Sequence, residues 1–132
     1  MANKTVLLID DDPTIRHIIE IIIRGAGYQF FDAETVTEAR KIIASQQNES
    51  LDIIICDVNL EHSNGIEFVD EIRKKEEFKK IREIPIVMLT VESSSEQKKK
   101  GKTVGANVWV VKPFLPDKLL QVIQHFIGTS VQ

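Results

Sequence analysis

Val6-Leu7-Leu8-Ile9-Asp10-Asp11-Asp12-Pro13 is the stretch that decides the fold. Four aliphatic residues run straight into three carboxylates and then a proline. An apolar run without polar alternation reads as a strand covered on both faces, as in a parallel sheet. Asp12 is placed to cap a helix that Pro13 begins. Three later runs have the same form. Ile53-Ile54-Ile55-Cys56 ends at Asp57, Ile86-Val87-Met88-Leu89 ends at Thr90, and Val108-Trp109-Val110-Val111 ends at Lys112-Pro113. In an open parallel α/β sheet the C-terminal strand ends share one edge, and ligands bind there. Carboxylates, a hydroxyl and an ammonium are therefore expected to converge. That set suits a divalent cation and a phosphoryl group.

Between these runs lie helical signals. Ile15, Ile18, Ile19, Ile22 and Ile23 form one apolar stripe, closed by Gly25 and Gly27. Thr35 and Glu38 have capping-box spacing, and Val36, Ala39, Ile42 and Ile43 face inward on a helix running to about Gln46. Gly65 opens a third helix through Ile66, Val69 and Ile72. The charged stretch Arg73–Glu83 has only Phe78 and Ile81 as large apolar anchors. A fourth helix begins near Ser93 with Glu96 three residues on. It carries Lys98, Lys99, Lys100 and Lys102, and Gly101 inside it costs about 1 kcal/mol against alanine. It reads either as a solvated surface or as a weakly held element that shifts. The fifth uses Leu119, Leu120, Val122, Ile123, Phe126 and Ile127. Five strands, about 5–10, 28–31, 52–56, 86–90 and 108–111, thus alternate with five helices in a single domain spanning 1–132. Right-handed crossovers place helices on both faces of the sheet.

A chain of 132 residues with 42% hydrophobic and 28% charged residues suffices for one soluble domain with a core. A net charge of -3 gives no general attraction to nucleic acid or anionic membrane, so neither is an expected partner. No run approaches the roughly 20 apolar residues of a membrane span, and no secretory signal is seen, so the expected location is the cytoplasm. The single cysteine, Cys56, reads as a small buried hydrophobe in a reducing compartment.

Asp10, Asp11 and Asp12 repel one another. Asp12 has a structural use as a cap, whereas Asp10 and Asp11 make sense beside a hard cation such as Mg²⁺. Asp57, alone at a strand end, can attack a phosphoryl group to give an acyl phosphate. Lys112 can neutralise a phosphoryl oxygen, and the Lys112–Pro113 bond is a candidate cis peptide.

In order and spacing, Asp10-Asp11, Asp57 with Gly65 eight residues on, Thr90, and Lys112-Pro113-Phe114 resemble the receiver domain of two-component response regulators. The resemblance covers essentially the whole chain. Leu89–Ser93 and Gly105–Phe114 are most similar to CheY-like chemotaxis regulators. The resemblance implies a (βα)5 doubly wound, flavodoxin-like sheet of order 2-1-3-4-5. It implies Asp57 as phosphoacceptor, Asp11 as a direct Mg²⁺ ligand, Asp10 as a ligand through water, and Asp57 and the Asn59 backbone carbonyl as further ligands. Lys112 would pair with the phosphoryl group, Thr90 would close on it, and Trp109 would be the aromatic that turns inward behind Thr90. Asn59 and Glu92 would flank the phosphoryl group and tune its lifetime. The face of the fourth helix, fifth strand and fifth helix would change its affinity for a downstream protein. The phosphoryl donor would be a histidine kinase or phosphotransfer protein, and the chain a monomer or weak dimer. It would be no enzyme on a separate substrate, only the catalyst of its own phosphorylation and slow dephosphorylation.

Three positions depart from the family pattern. Glu61 stands where proline is frequent, which should loosen the loop. Val91 is bulkier than the usual small residue and should narrow access to the phosphoryl group. Trp109 is larger than the usual tyrosine or phenylalanine. Other readings stand beside this one. Asp10-Asp11-Asp12-Pro13-Thr14 contains the D-x-D-x-T pattern of haloacid-dehalogenase-type phosphatases, but the late acidic pair is missing. A flavodoxin would need a glycine- and hydroxyl-rich phosphate loop after the first strand. A receiver serving as a phosphorelay intermediate, or as a binding module independent of phosphorylation, would keep the same fold. After Phe114 only one helix and a short tail follow, so output is expected through contact with another protein.

Overall fold

Alternate residues of each apolar run pack into opposite layers. The computed structural model describes residues 4–45, 51–91, 99–100 and 103–129. Its elements are β1 (Thr5–Ile9), α1 (Pro13–Gly25), β2 (Gln29–Ala33), α2 (Val36–Ser45), β3 (Ile53–Asp57), β4 (Asn59–Leu60), β5 (Ser63–Asn64), α3 (Gly65–Lys74), a 3-10 helix (Glu76–Ile81), β6 (Ile86–Thr90), β7 (Val108–Val111) and α4 (Pro116–Ile127). α4 is the fifth helix of the sequence reading. Most of the fourth falls outside the described residues, which show helical backbone at 99–100 and 103–104.

The main sheet is parallel, in the order β2-β1-β3-β6-β7. With the small β4–β5 hairpin set aside, this is the 2-1-3-4-5 order. Leu7, Ile9, Ile54, Cys56, Ile86 and Met88 form one layer with Ala39 of α2 and Ile66, Phe68, Val69 and Ile72 of α3. Val6, Leu8, Ile53, Ile55, Val87 and Leu89 form the other with Ile19 and Ile23 of α1 and Leu119 and Ile123 of α4. The period of two along each strand makes this division. Ile55 is fully buried, and Ile55→Ala should cost about 2–5 kcal/mol.

Local signals account for the element ends. The Asp12 side chain accepts from Thr14 N at 2.9 Å and Ile15 N at 3.4 Å, with Pro13 opening α1. The stripe on α1 is narrower than its spacing suggests. Ile19 and Ile23 are buried, but Ile18 at its edge is 39% exposed. At α2 the Thr35 hydroxyl accepts from Glu38 N, while Glu38 accepts from Glu34 N.

β2 lies further along than 28–31. Tyr28 precedes the strand and is held by its hydroxyl, which donates to Gly128 O at 2.6 Å. Asp32 and Ala33 continue the ladder against Leu8 and Ile9. The Arg73–Glu83 stretch folds through its two apolar anchors. Phe78 sits edge-on to Phe68, and Arg40 lies over both rings and pairs with Glu71. Arg73 ties α3 to the following loops by donating to the carbonyls of Arg82, Ile84 and Gly105.

Candidate functional site

The register brings the strand ends together. Ile9 lies opposite Cys56, Asp57 opposite Leu89, and Thr90 opposite Val111. β1 and β6 flank β3, so Asp10, just past β1, lies beside the end of β3, and Lys112, just past β7, reaches it across the end of β6. Asp10 is fully buried and Asp57 is 7% exposed. The Lys112 ammonium donates to Asp10 Oδ2 at 2.8 Å and to Asp57 Oδ2 at 3.2 Å. The free oxygens are also directed. Asp10 Oδ1 accepts from Asp12 N at 2.9 Å, and Asp57 Oδ1 accepts from Asn59 N at 3.3 Å.

Burial and the neighbouring Asp10 charge raise the Asp57 pKa, while Lys112 and the Asn59 N–H oppose them. Burial works to lower the Lys112 pKa. Its bonds and attraction to Asp10 and Asp57 outweigh that, so its pKa lies above the ordinary lysine value. The Cys56 thiol is pushed up by burial and by the two carboxylates, so it stays protonated and inert.

Oxygens of Asp10, Asp11 and Asp57 lie within 4.8 Å of one another, the one such donor cluster among the described residues. Hard carboxylate oxygens suit Mg²⁺, which keeps several waters and so does not need a closed protein cage.

Glu61 lies in the turn of a short hairpin after β3. Asn59 pairs with Asn64 and Leu60 with Ser63, so Glu61 and His62 form its exposed turn. Asn64 then caps α3 by accepting from Ile66 N at 2.7 Å. Gly65 follows with its N–H on Val58 O at 2.8 Å. A Cβ there would overlap the Asp57 carbonyl oxygen and lie 3.0 Å from Cys56 Sγ. The backbone of the lone aspartate thus passes where only glycine leaves room.

Thr90 is fully buried at the end of β6, and its carbonyl accepts from Lys112 N at 2.7 Å. The Lys112–Pro113 peptide is cis. Val91 is 65% exposed. Trp109, opposite Met88 on β7, is partly buried against the α2–α3 layer, and its indole N–H has no acceptor among the described residues. Glu92 lies outside the described residues.

One polar contact at this site went unread in the sequence. Arg16 donates from Nη1 to the Asp10 carbonyl at 2.9 Å, and its Nε lies 3.3 Å from Asp32 Oδ2. The available signal was a lone arginine inside an apolar helix stripe, one turn beyond the Asp12 cap.

These features coincide with a known class. Residues 6–124 match the response regulator receiver domain, and the chain belongs to that family. It is a CheY-like receiver, 40% identical to chemotaxis protein CheY4 of Vibrio cholerae, with a TM-score of 0.82 over 95% of this chain and 99% of that one. It is 27% identical, at a TM-score of 0.79, to the receiver domain of a sensor histidine kinase of Pseudomonas aeruginosa PAO1, covering 97% of this chain and 100% of that one. That structure holds a magnesium ion coordinated in its active site cleft. The phosphate regulon transcriptional regulatory protein PhoB of Pseudomonas aeruginosa is 33% identical over 120 residues, 91% of this chain, which spans half the length of PhoB. The chain is therefore a signalling module of two-component systems. No helix among the described residues is long and apolar enough to cross a membrane.

Proposed function

We propose that the protein is a phosphorylation-controlled switch that accepts a phosphoryl group on Asp57 from a histidine kinase or phosphotransfer protein. The observation that carries this reading is the Lys112 ammonium shared between Asp10 and Asp57, within the three-aspartate cluster. An Asp57 carboxylate oxygen attacks phosphorus. The bond from phosphorus to the donor breaks, and the donor leaves with that electron pair. Lys112 is within reach of the carboxylate oxygen and neutralises charge that arrives on the phosphoryl group.

Mg²⁺ fits the donor set, with Asp11, Asp57 and the Asn59 carbonyl as ligands and Asp10 acting through water. When bound it supplies positive charge to phosphoryl oxygens. Thr90 and Trp109 carry the change away from the site. The Trp109 indole N–H has no acceptor among the described residues, and an unsatisfied N–H favours a second arrangement that finds one. The output surface is the face of residues 99–100 and 103–104, β7 and α4, and its target is another protein. The similarity to CheY4 supports a chemotaxis-like target.

The test is incubation with acetyl phosphate and Mg²⁺. The native chain should gain one acid- and base-labile phosphoryl group, and Asp57→Asn should gain none. An unmodified native chain, still able to bind a partner, would instead support a binding module independent of phosphorylation.

A further inference from the structure

Every polar atom of Asp10 has a partner. Its N–H donates to Ala33 O at 3.0 Å, Oδ1 accepts from Asp12 N, Oδ2 accepts from Lys112 Nζ, and its carbonyl accepts from Arg16 Nη1 at 2.9 Å. The last contact is unlike the others. It comes from a long side chain on α1 that also reaches Asp32, the last-but-one residue of β2, at 3.3 Å. The Arg16 side chain is 19% exposed, so this link runs mostly beneath the surface.

We propose that Arg16 is a positioning residue of the acidic site, holding the Asp10–Asp12 turn in the geometry that receives the cation. This rests on the reading of that site as a Mg²⁺-assisted phosphoacceptor. A guanidinium presents several donors in a rigid fork, so one side chain can serve the Asp10 carbonyl and the Asp32 carboxylate together. That fork fixes the start of α1 against the end of β2, with the acidic turn between them. Without it the buried Asp10 carbonyl loses its acceptor role, and rotation of the turn carries Asp10 and Asp11 away from Asp57.

Electrostatics alone argues against an arginine here. A positive charge beside a cation site repels the cation. Asp32 offsets that charge, so the arginine can contribute its geometry with less repulsion. The two effects have opposite signs. If Arg16 acts only through its charge, removing it tightens Mg²⁺ binding. If it acts by positioning, removing it weakens Mg²⁺ binding.

The experiment is a Mg²⁺ titration followed by amide chemical shifts of Asp10–Asp12, on native, Arg16→Met and Arg16→Lys proteins. Acetyl phosphate rates are measured on the same proteins across Mg²⁺ concentration. Arg16→Met should weaken Mg²⁺ binding about tenfold, the low end of the range for partners of metal ligands. Its phosphorylation rate should approach the native one at saturating Mg²⁺. Arg16→Lys keeps the charge but cannot span both oxygens, and should fall between the two. Native or tighter affinity in Arg16→Met would overturn the proposal. If that variant does not fold, native affinity in Arg16→Lys overturns it. A native protein that binds no Mg²⁺ would overturn the underlying reading and this inference with it. Native binding with unaffected variants removes only the role given to Arg16.

Discussion

Lys112 Nζ lies 3.2 Å from Asp57 Oδ2, although the two residues are 55 positions apart in sequence. The parallel ladder makes this contact, because β6 and β7 carry Lys112 to the sheet edge where β3 ends. The same ammonium holds Asp10, so one cation balances two buried carboxylates.

Removing that cation should be costly in the absence of metal. Lys112→Met leaves Asp10 and Asp57 facing each other without counter-charge. Breaking a buried pair costs about 3–5 kcal/mol, and the low end is expected here because Lys112 is 12% exposed. Urea unfolding in chelator should show the loss, and added Mg²⁺ should restore part of it. A phosphorylated Lys112→Ala protein should bind its target no better than the unphosphorylated native chain. Native-like binding by the phosphorylated variant would count against a role for Lys112 in signalling the phosphoryl group.

Asp57 should destabilise the metal-free fold at neutral pH. Its folded pKa is raised by burial and by Asp10, so the folded state holds this proton more tightly than the unfolded chain. Stability contributed by Asp57 is therefore lost as pH rises from the unfolded value, about 3.9, through the folded one. In chelator, Asp57→Asn should melt higher than native at pH 7. The difference should close as pH falls through that window. A constant difference from pH 7 to below the window would show that Asp57 ionisation is not its source.

Gly65→Ala should damage stability and phosphorylation together. The added Cβ meets backbone, which cannot yield as a flexible side chain can. Overpacking of this kind costs about 1–3 kcal/mol. Denaturant midpoint and acetyl phosphate rate should both fall. A Gly65→Ala protein with native stability and rate would mean that the chain beside Asp57 relaxes freely.

The lifetime of the phosphoform should depend on Asn59. This residue is exposed and adjoins Asp57 through its N–H, and a small polar side chain leaves water a path to the acyl phosphate. Asn59→Lys should slow decay of the isolated phosphoprotein. Val91→Ala should change it little, since Val91 is largely exposed. Faster decay in Val91→Ala would restore the shielding expected from its bulk.

The apolar runs and the polar residue ending each of them were legible because burial on both faces removes alternation. The Asp12–Pro13 helix start was legible because its chemistry is local. The end of β2 was not, since Asp32 looks like a loop residue until Arg16 supplies its partner from α1. The β4–β5 hairpin was also hidden. It has two paired positions per strand, too few for a periodic signal, and polar residues throughout except Leu60. Ile18 was read as core because helical spacing gives a direction but not the width of the covering sheet. Arg16 escaped notice because its target is a main-chain carbonyl, which no side-chain pattern marks.

The central claim is that Asp57, and not the acidic pair beside it, receives the phosphoryl group. The most direct measurement is borohydride trapping of the acyl phosphate after reaction with acetyl phosphate and Mg²⁺, followed by peptide mass mapping. Reduction should convert Asp57 alone to homoserine, with Asp10 and Asp11 unmodified. Reduced product at Asp10, with Asp57 intact, would contradict the account and favour the phosphatase-like reading of Asp10-Asp11-Asp12-Pro13-Thr14.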